Sequence, residues 1–282
     1  MLSLPNLPID SVSIHGVSFD LLRLDLIDPV TGGNKWFKLK YNLEAFREGG
    51  YESIVSFGGA WSNHLAALAE MCRREMIPVT AIVRGEKPDN LSPTLQRAMD
   101  SGMQLKFVSR EEYRQFRSGM LKPEIFFAGK ILVIPEGGAN EAGIRGCGEI
   151  ISLIPSAYSQ VLLPVGTGGT MAGILKAYNG SATFTGIKVL EANQEQLIHS
   201  AIGEKAVPWL MESSYTFGRY AAVTDELQLF VAEWNSLNSA GIEPVYTGKM
   251  CFGIVDMIKK GRFSENDRIL GIHTGGMQYL SH

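Results

Sequence analysis

Three cysteines are too few, and too far apart, for a disulfide framework. Cys72, Cys147 and Cys251 form no CxxC pair, which predicts a reducing compartment, the cytoplasm. The five histidines are scattered without ligand spacing, so no metal centre is expected. No apolar run reaches the ~18 residues that span a bilayer, so no membrane partner is expected. The opening MLSLPNLPID lacks a basic segment followed by an apolar one, which predicts no secretory signal. The net charge is -3 with no basic stripe, a poor match to nucleic acid. No internal repeat and no low-complexity linker is visible, which argues against a solenoid.

Glycine is what the chain has in excess, 31 of 282 residues. Many fall in pairs at the ends of apolar runs, where loops of α/β folds meet their ligands. SVSIHGVSF and LLRLDLI alternate enough to read as one or two strands. Helical spacing recurs from Trp36 to Arg47 and stops at Gly49 and Gly50. SIVSFGG, VTAIVRG, LKFVSR, KILVIPEGG, QVLLPVGTGG, IKVLEA and RILGIHTGG read as further strands, several running into glycines. Helices are expected between them, with residues 110–123 on the surface and residues 192–225 irregular. Alternating strands and helices predict an α/β protein with mostly parallel sheets and flanking helices. At this length two lobes are expected. The larger should hold residues 1–47 and 138–282, the smaller 48–137, with a ligand between them.

GTGGT, Gly166, Thr167, Gly168, Gly169 and Thr170, follows the strand VLLPV and opens the helix MAGILKAY. Amides at a helix N-terminus bind anions, and glycines let a phosphate come close. The pattern is neither GxxxxGK[ST] nor a full GxGxxG, because Met171 fills the third position. One phosphate fits better than a pyrophosphate. Three lysines, Lys35, Lys38 and Lys40, lie at the mouth of the helix after Gly32 and Gly33. A helix dipole can lower a lysine pKa enough to make it a nucleophile, and chemistry alone does not choose among the three. Ser62, Asn63 and His64 sit at another helix start, after Trp61. Such residues cap helices, and the same amides could hold a substrate carboxylate. Tyr246 opens a helix, where a phenol either packs in the core or moves a proton.

Together these stretches resemble a known family. GGNKWFKLK, SFGGAWSNH, IPEGGANEAGIRGCGE, GTGGTMAGI, EPVYTGKMCFGIVDMI and GIHTGG occur in the order found in the 1-aminocyclopropane-1-carboxylate deaminase and D-cysteine desulfhydrase family. The resemblance runs from about Gly32 to Gly276. It implies the tryptophan synthase β-like architecture, also called fold type II, with pyridoxal 5'-phosphate as cofactor. It makes Lys35 the lysine bonded to the cofactor, with Asn34 its usual neighbour. Lys38 would lie near the cofactor phosphate, Asn63 at its 3′-oxygen, and Gly166 to Thr170 round the phosphate. Ser62, His64 and Trp61 would face the substrate. Tyr246 and Tyr220 would stand near the ring and the substrate, and Thr274 near the pyridine. A homodimer is common in that family.

Within it, SNH, Thr247 in VYTGK and Thr274 in HTGG favour the desulfhydrase branch over deaminases, which carry SNQ, VYEGK and HLGG. Neutral threonines near the ring nitrogen make the cofactor a weaker electron sink, which suits β-elimination. Trp61 stands where the family usually has glutamine, and its bulk would reshape the substrate side. The expected activity is that of a lyase or hydrolase taking a small amino acid, D-cysteine-like or 1-aminocyclopropane-1-carboxylate, to a keto acid and ammonia. The alternatives are a β-replacement enzyme of the same fold and a catalytically silent cofactor-binding protein. A nicotinamide dehydrogenase is a further outsider.

Overall fold

The computed structural model describes residues 6–190, 193–218 and 222–276. In chain order the elements are β1 (Ile9–Ile14), β2 (Val17–Arg23), α1 (Asn34–Gly49), β3 (Ser53–Gly58), α2 (Asn63–Arg74), β4 (Val79–Arg84), α3 (Pro93–Asp100), β5 (Gln104–Val108), α4 (Arg110–Arg117), β6 (Ile131–Ile134) and α5 (Glu141–Gly148). Then come β7 (Gln160–Val165), α6 (Gly169–Ala177), β8 (Thr183–Lys188), α7 (Gln194–Ile202), β9 (Trp209–Glu212), α8 (Asp225–Leu237), α9 (Thr247–Lys259) and β10 (Ile269–His273). This is the expected α/β architecture. Among the described residues all the strand pairings are parallel except the β1–β2 hairpin.

Two compact units form. One holds Met1–Asn34 and Cys147–His282, the other Lys35–Gly146. The larger unit contains the sheet ordered β1-β2-β10-β7-β8-β9. Leu21, Leu162, Trp234, Met250 and Ile254 belong to its core. Parallel strands buried on both faces need near-continuous apolar sequence, and VLLPV in β7 meets that need with every residue buried. The smaller unit contains the sheet ordered β5-β4-β3-β6. Side chains alternate across a strand, so Ile54 of β3 packs with Leu65, Leu68 and Ala81, while Val55 and Phe57 pack on the opposite face with Ile82, Tyr113 and Phe116.

The division falls at Asn34/Lys35 and Gly146/Cys147, not at the 47/48 and 137/138 read from sequence. The reason is α1. Its Leu39 and Leu43 sit in the same core as Ile54, Leu65 and Val79, so the helix belongs with the smaller sheet. Two local expectations also change. LDLI does not continue β2 but forms a 3-10 turn, Leu24–Ile27. Asp25 there accepts from Arg23 Nε at 2.9 Å and Nη2 at 2.7 Å, which curls the chain directly after the strand. The stretch 192–225, expected to be irregular, contains α7 and β9. Asn193 caps α7 by accepting from Gln196 N–H.

Candidate functional site

In the larger unit, β7 and β10 are parallel neighbours, and a glycine loop leaves the C-terminal end of each. That is where open α/β sheets bind ligands. The loop after β7 begins at Gly166 and turns into α6 through Gly168, whose φ of 88° suits glycine. Gly169 and Thr170 then form the first turn of α6, leaving helix N-terminal amides for an anion. Thr167 is exposed and Thr170 buried. Asn34 ties the two loops together. Its Nδ2 donates to Thr170 Oγ1 at 2.8 Å, and its backbone N–H donates to the Thr274 carbonyl at 3.1 Å. A Cβ on Gly33 would run into that same Thr274 carbonyl, so the turn before Lys35 packs directly on the second loop.

His273 supports that second loop. Its Nδ1 accepts from Gly275 N–H at 3.1 Å and its Nε2 lies 2.8 Å from the Gly241 carbonyl. One acceptor and one donor nitrogen make a neutral imidazole, and burial pushes its pKa down. Tyr246 caps α9 and is half-buried, with its ring edge 3.2 Å from where a Cβ on Gly166 would stand. Beneath it, Glu243 is fully buried. It accepts from the amides of Val245 (2.6 Å), Tyr246 (2.9 Å) and Thr247 (2.7 Å). Burial pushes its carboxyl up to about 7, against the pull of those amides and of Lys249. Lys249, also fully buried, donates to the Thr216 carbonyl at 2.8 Å. The Thr247 hydroxyl is buried with no partner. Tyr220 lies outside the described residues.

In the smaller unit, α1 carries Lys35, half-buried, and Lys38, 3% exposed. Lys38 Nζ donates to the Gly137 carbonyl at 3.0 Å. Asn42, one turn further on, exchanges amide hydrogen bonds with Asn140 at 2.8 and 3.2 Å. Lys38 and Asn42 thus fasten the 136–140 loop to α1. Ser62 caps α2, accepting from Leu65 N–H at 3.3 Å. Trp61 before it is half exposed. The Asn63 Oδ1 is buried with no partner.

His64 is 2% exposed. Its Nε2 lies 2.8 Å from Ser56 Oγ, and that hydroxyl donates its one proton to the Ile134 carbonyl. Ser56 must therefore accept from His64, which places the imidazole proton on Nε2. The bare Nδ1 is buried with no partner. Burial first, then the positive charges of Lys35 and Lys38, push the pKa down to about 3. His64 is therefore an uncharged ring at neutral pH, a donor at Nε2 and a bare acceptor at Nδ1, in the field of both lysines.

Of the residues singled out from sequence, Asn34, Gly166 to Thr170, Tyr246 and Thr274 fall in the larger unit. Lys35, Lys38, Trp61, Ser62, Asn63 and His64 fall in the smaller. Glu243, Lys249, His273 and the Asn42–Asn140 pair are additions. The residue set fits the expected cofactor. Each unit carries groups suited to it: in the larger, a glycine-bordered helix terminus suited to a phosphate and the unpartnered Thr247 hydroxyl, and in the smaller, a lysine suited to an aldehyde and the unpartnered Asn63 Oδ1 and His64 Nδ1. Among the described residues no acid, histidine and cysteine cluster could hold a metal ion, and no helix is long and apolar enough to cross a membrane.

Comparison with known proteins agrees. A family model described as pyridoxal-phosphate dependent enzyme matches residues 5–275. A protein of Pyrococcus horikoshii provisionally named 1-aminocyclopropane-1-carboxylate deaminase is 28% identical over 289 residues, covering 95% of this chain and 87% of that one. A D-cysteine desulfhydrase of Salmonella schwarzengrund is 26% identical over 295 residues, covering 92% and 87%. The crystal structure of an ACC deaminase homologue matches with a TM-score of 0.81 at 24% identity, covering 98% of this chain and 91% of that one. These names speak for a lyase or deaminase and not for a hydrolase.

Proposed function

The chain belongs to the pyridoxal-phosphate dependent enzymes, and from that premise we propose that it is a lyase that deaminates a small amino acid by β-elimination. With one water consumed, the products are a keto acid, ammonia and the protonated β-substituent. The observation that carries this reading is Thr247, a fully buried neutral hydroxyl with no partner beside Tyr246, where the resembled deaminases have glutamate. A threonine cannot hold a ring nitrogen protonated as a carboxylate does. An electron sink of moderate strength suits a substrate whose own leaving group carries electrons away.

When bound, the cofactor supplies an aldehyde that condenses with amines and a ring that accepts electron density. The remaining work falls to this chain. The first-turn amides of α6 would hold the phosphate, and Lys35 Nζ would be the amine that holds the aldehyde. Lys35 Nζ would also take the substrate Cα proton as general base. The α2 N-terminus, with Ser62 and Asn63, holds the substrate carboxylate. His64 offers only a neutral acceptor and moves no proton. Tyr246 stands ready to donate to the departing group. Trp61 narrows the substrate side and sets which amino acids enter.

A screen of the purified holoenzyme tests the proposal. D-cysteine, D-serine, L-serine and 1-aminocyclopropane-1-carboxylate are offered, and keto acid and ammonia are measured together. The expected result is turnover of an amino acid with a β-leaving group. Turnover of the cyclopropane alone would move the protein to ring opening. A new amino acid formed when a thiol is added, in place of keto acid, would make it a β-replacement enzyme.

A further inference from the structure

Gln194 opens α7 and is only 2% exposed, although glutamine is ordinarily a surface residue. Its Nε2 donates to two carbonyls, those of Gly166 and Leu190, each at 3.0 Å. Two acceptors facing one end identify that end as the nitrogen. Gly168 packs on the same residue, since a Cβ there would stand 3.3 Å from Gln194 Cβ. Both ends of the Gly166–Gly168 turn therefore lean on one side chain from the next helix.

That contact fixes a direction. A peptide unit is planar and trans, so a carbonyl and the N–H that follows it point opposite ways. The Gly166 carbonyl points at Gln194. The Thr167 N–H therefore points to the other face of the loop. Glycine offers little resistance to turning such a peptide over. A side chain at 166 could not stiffen it, because its Cβ would crowd the Tyr246 ring at 3.2 Å. A flipped peptide would aim a carbonyl oxygen where an anion binds, and the interaction would change from attraction to repulsion.

We propose that Gln194 is a positioning residue for the cofactor phosphate, locking the Gly166–Thr167 peptide so that the Thr167 N–H serves the anion. The inference rests on the loop's role as phosphate cradle and not on the identity of the substrate. The Leu190 contact gives the lock its anchor, joining the loop to the segment that follows the neighbouring strand β8.

The test is cofactor binding to apoprotein. Wild type, Gln194→Leu, the isosteric Gln194→Glu and a loop control, Gly168→Ala, are each titrated with pyridoxal phosphate and with pyridoxal, which lacks the phosphate. Both Gln194 variants are expected to lose roughly three- to tenfold in affinity for pyridoxal phosphate, the range of one or two lost hydrogen bonds, and to keep their affinity for pyridoxal. An equal loss for both ligands, or none, overturns the proposal and leaves Gln194 a structural residue. If Gly168→Ala leaves the preference for the phosphorylated ligand intact, the loop is not the cradle, and the inference falls with it while the substrate reading stands.

Discussion

His64 lies within the field of two lysines, and its environment removes it from acid–base chemistry. Its imidazole is buried, its Nε2–H is committed to Ser56, and its pKa is held at about 3. The folded value lies below the unfolded value of 6.5. The stability gained by keeping it neutral is therefore complete above about pH 6.5 and is lost as pH falls toward 3, at about 1.4 kcal/mol per pH unit. His64→Gln, which can still donate to Ser56, should flatten the acid side of the stability-against-pH curve by that slope. Parallel curves for wild type and variant would mean that His64 is not buried as a neutral ring. The neighbouring SNH letters suggested a residue facing the substrate. What they could not show is Ser56, eight residues earlier on β3, which orients the ring. Glu243 was equally hidden. Nothing in EPVYTGK marks its glutamate as the acceptor of three consecutive amides.

Elements were legible where their hydrophobic period was strong. The buried strands β3 and β7 and the amphipathic α2 lie where the apolar spacing puts them, and the glycine pairs mark the ends of strands. Weak or short elements escaped. The helix α7 has only Gln194 and Ile198 buried, and β9 is the sheet edge with Leu210 exposed, so neither shows a period. Their omission also hid Gln194. Asn34 shows how one element start can join two loops. Its amide holds Thr170 on α6 while its backbone is held by Thr274 after β10. Asn34→Leu should weaken pyridoxal phosphate binding by about three- to tenfold, the worth of one hydrogen bond. The helix content by far-ultraviolet circular dichroism should not change, because the backbone bond to Thr274 survives. An unaltered dissociation constant would show that the Asn34–Thr170 bond plays no part in shaping the loop.

For the molecule as a whole, the cofactor is a ligand of the folded state and must stabilise it. At 100 times its dissociation constant a ligand adds about 2.7 kcal/mol, which for a chain of this size raises Tm by roughly 5 °C. The bond to lysine adds to that, so the identity of the lysine becomes a stability question as well as a chemical one. Lys38 is committed to the Gly137 carbonyl inside the smaller unit. Lys40 stands over the rings of Trp36 and Tyr41, at 5.8 and 5.1 Å from their centroids. Lys35, at the first turn of α1 and beside the neutral His64, is the one of the three whose place on the helix suits a nucleophile. Lys35→Ala should therefore shrink the cofactor-induced rise in Tm, while Lys40→Ala should leave it close to wild type. Borohydride reduction followed by peptide mass mapping reads the same point directly: the added mass belongs on the peptide containing Lys35. A label that persists in Lys35→Ala and disappears in Lys38→Ala would transfer the role to Lys38, and with it the assignment of every residue placed by reference to the first turn of α1.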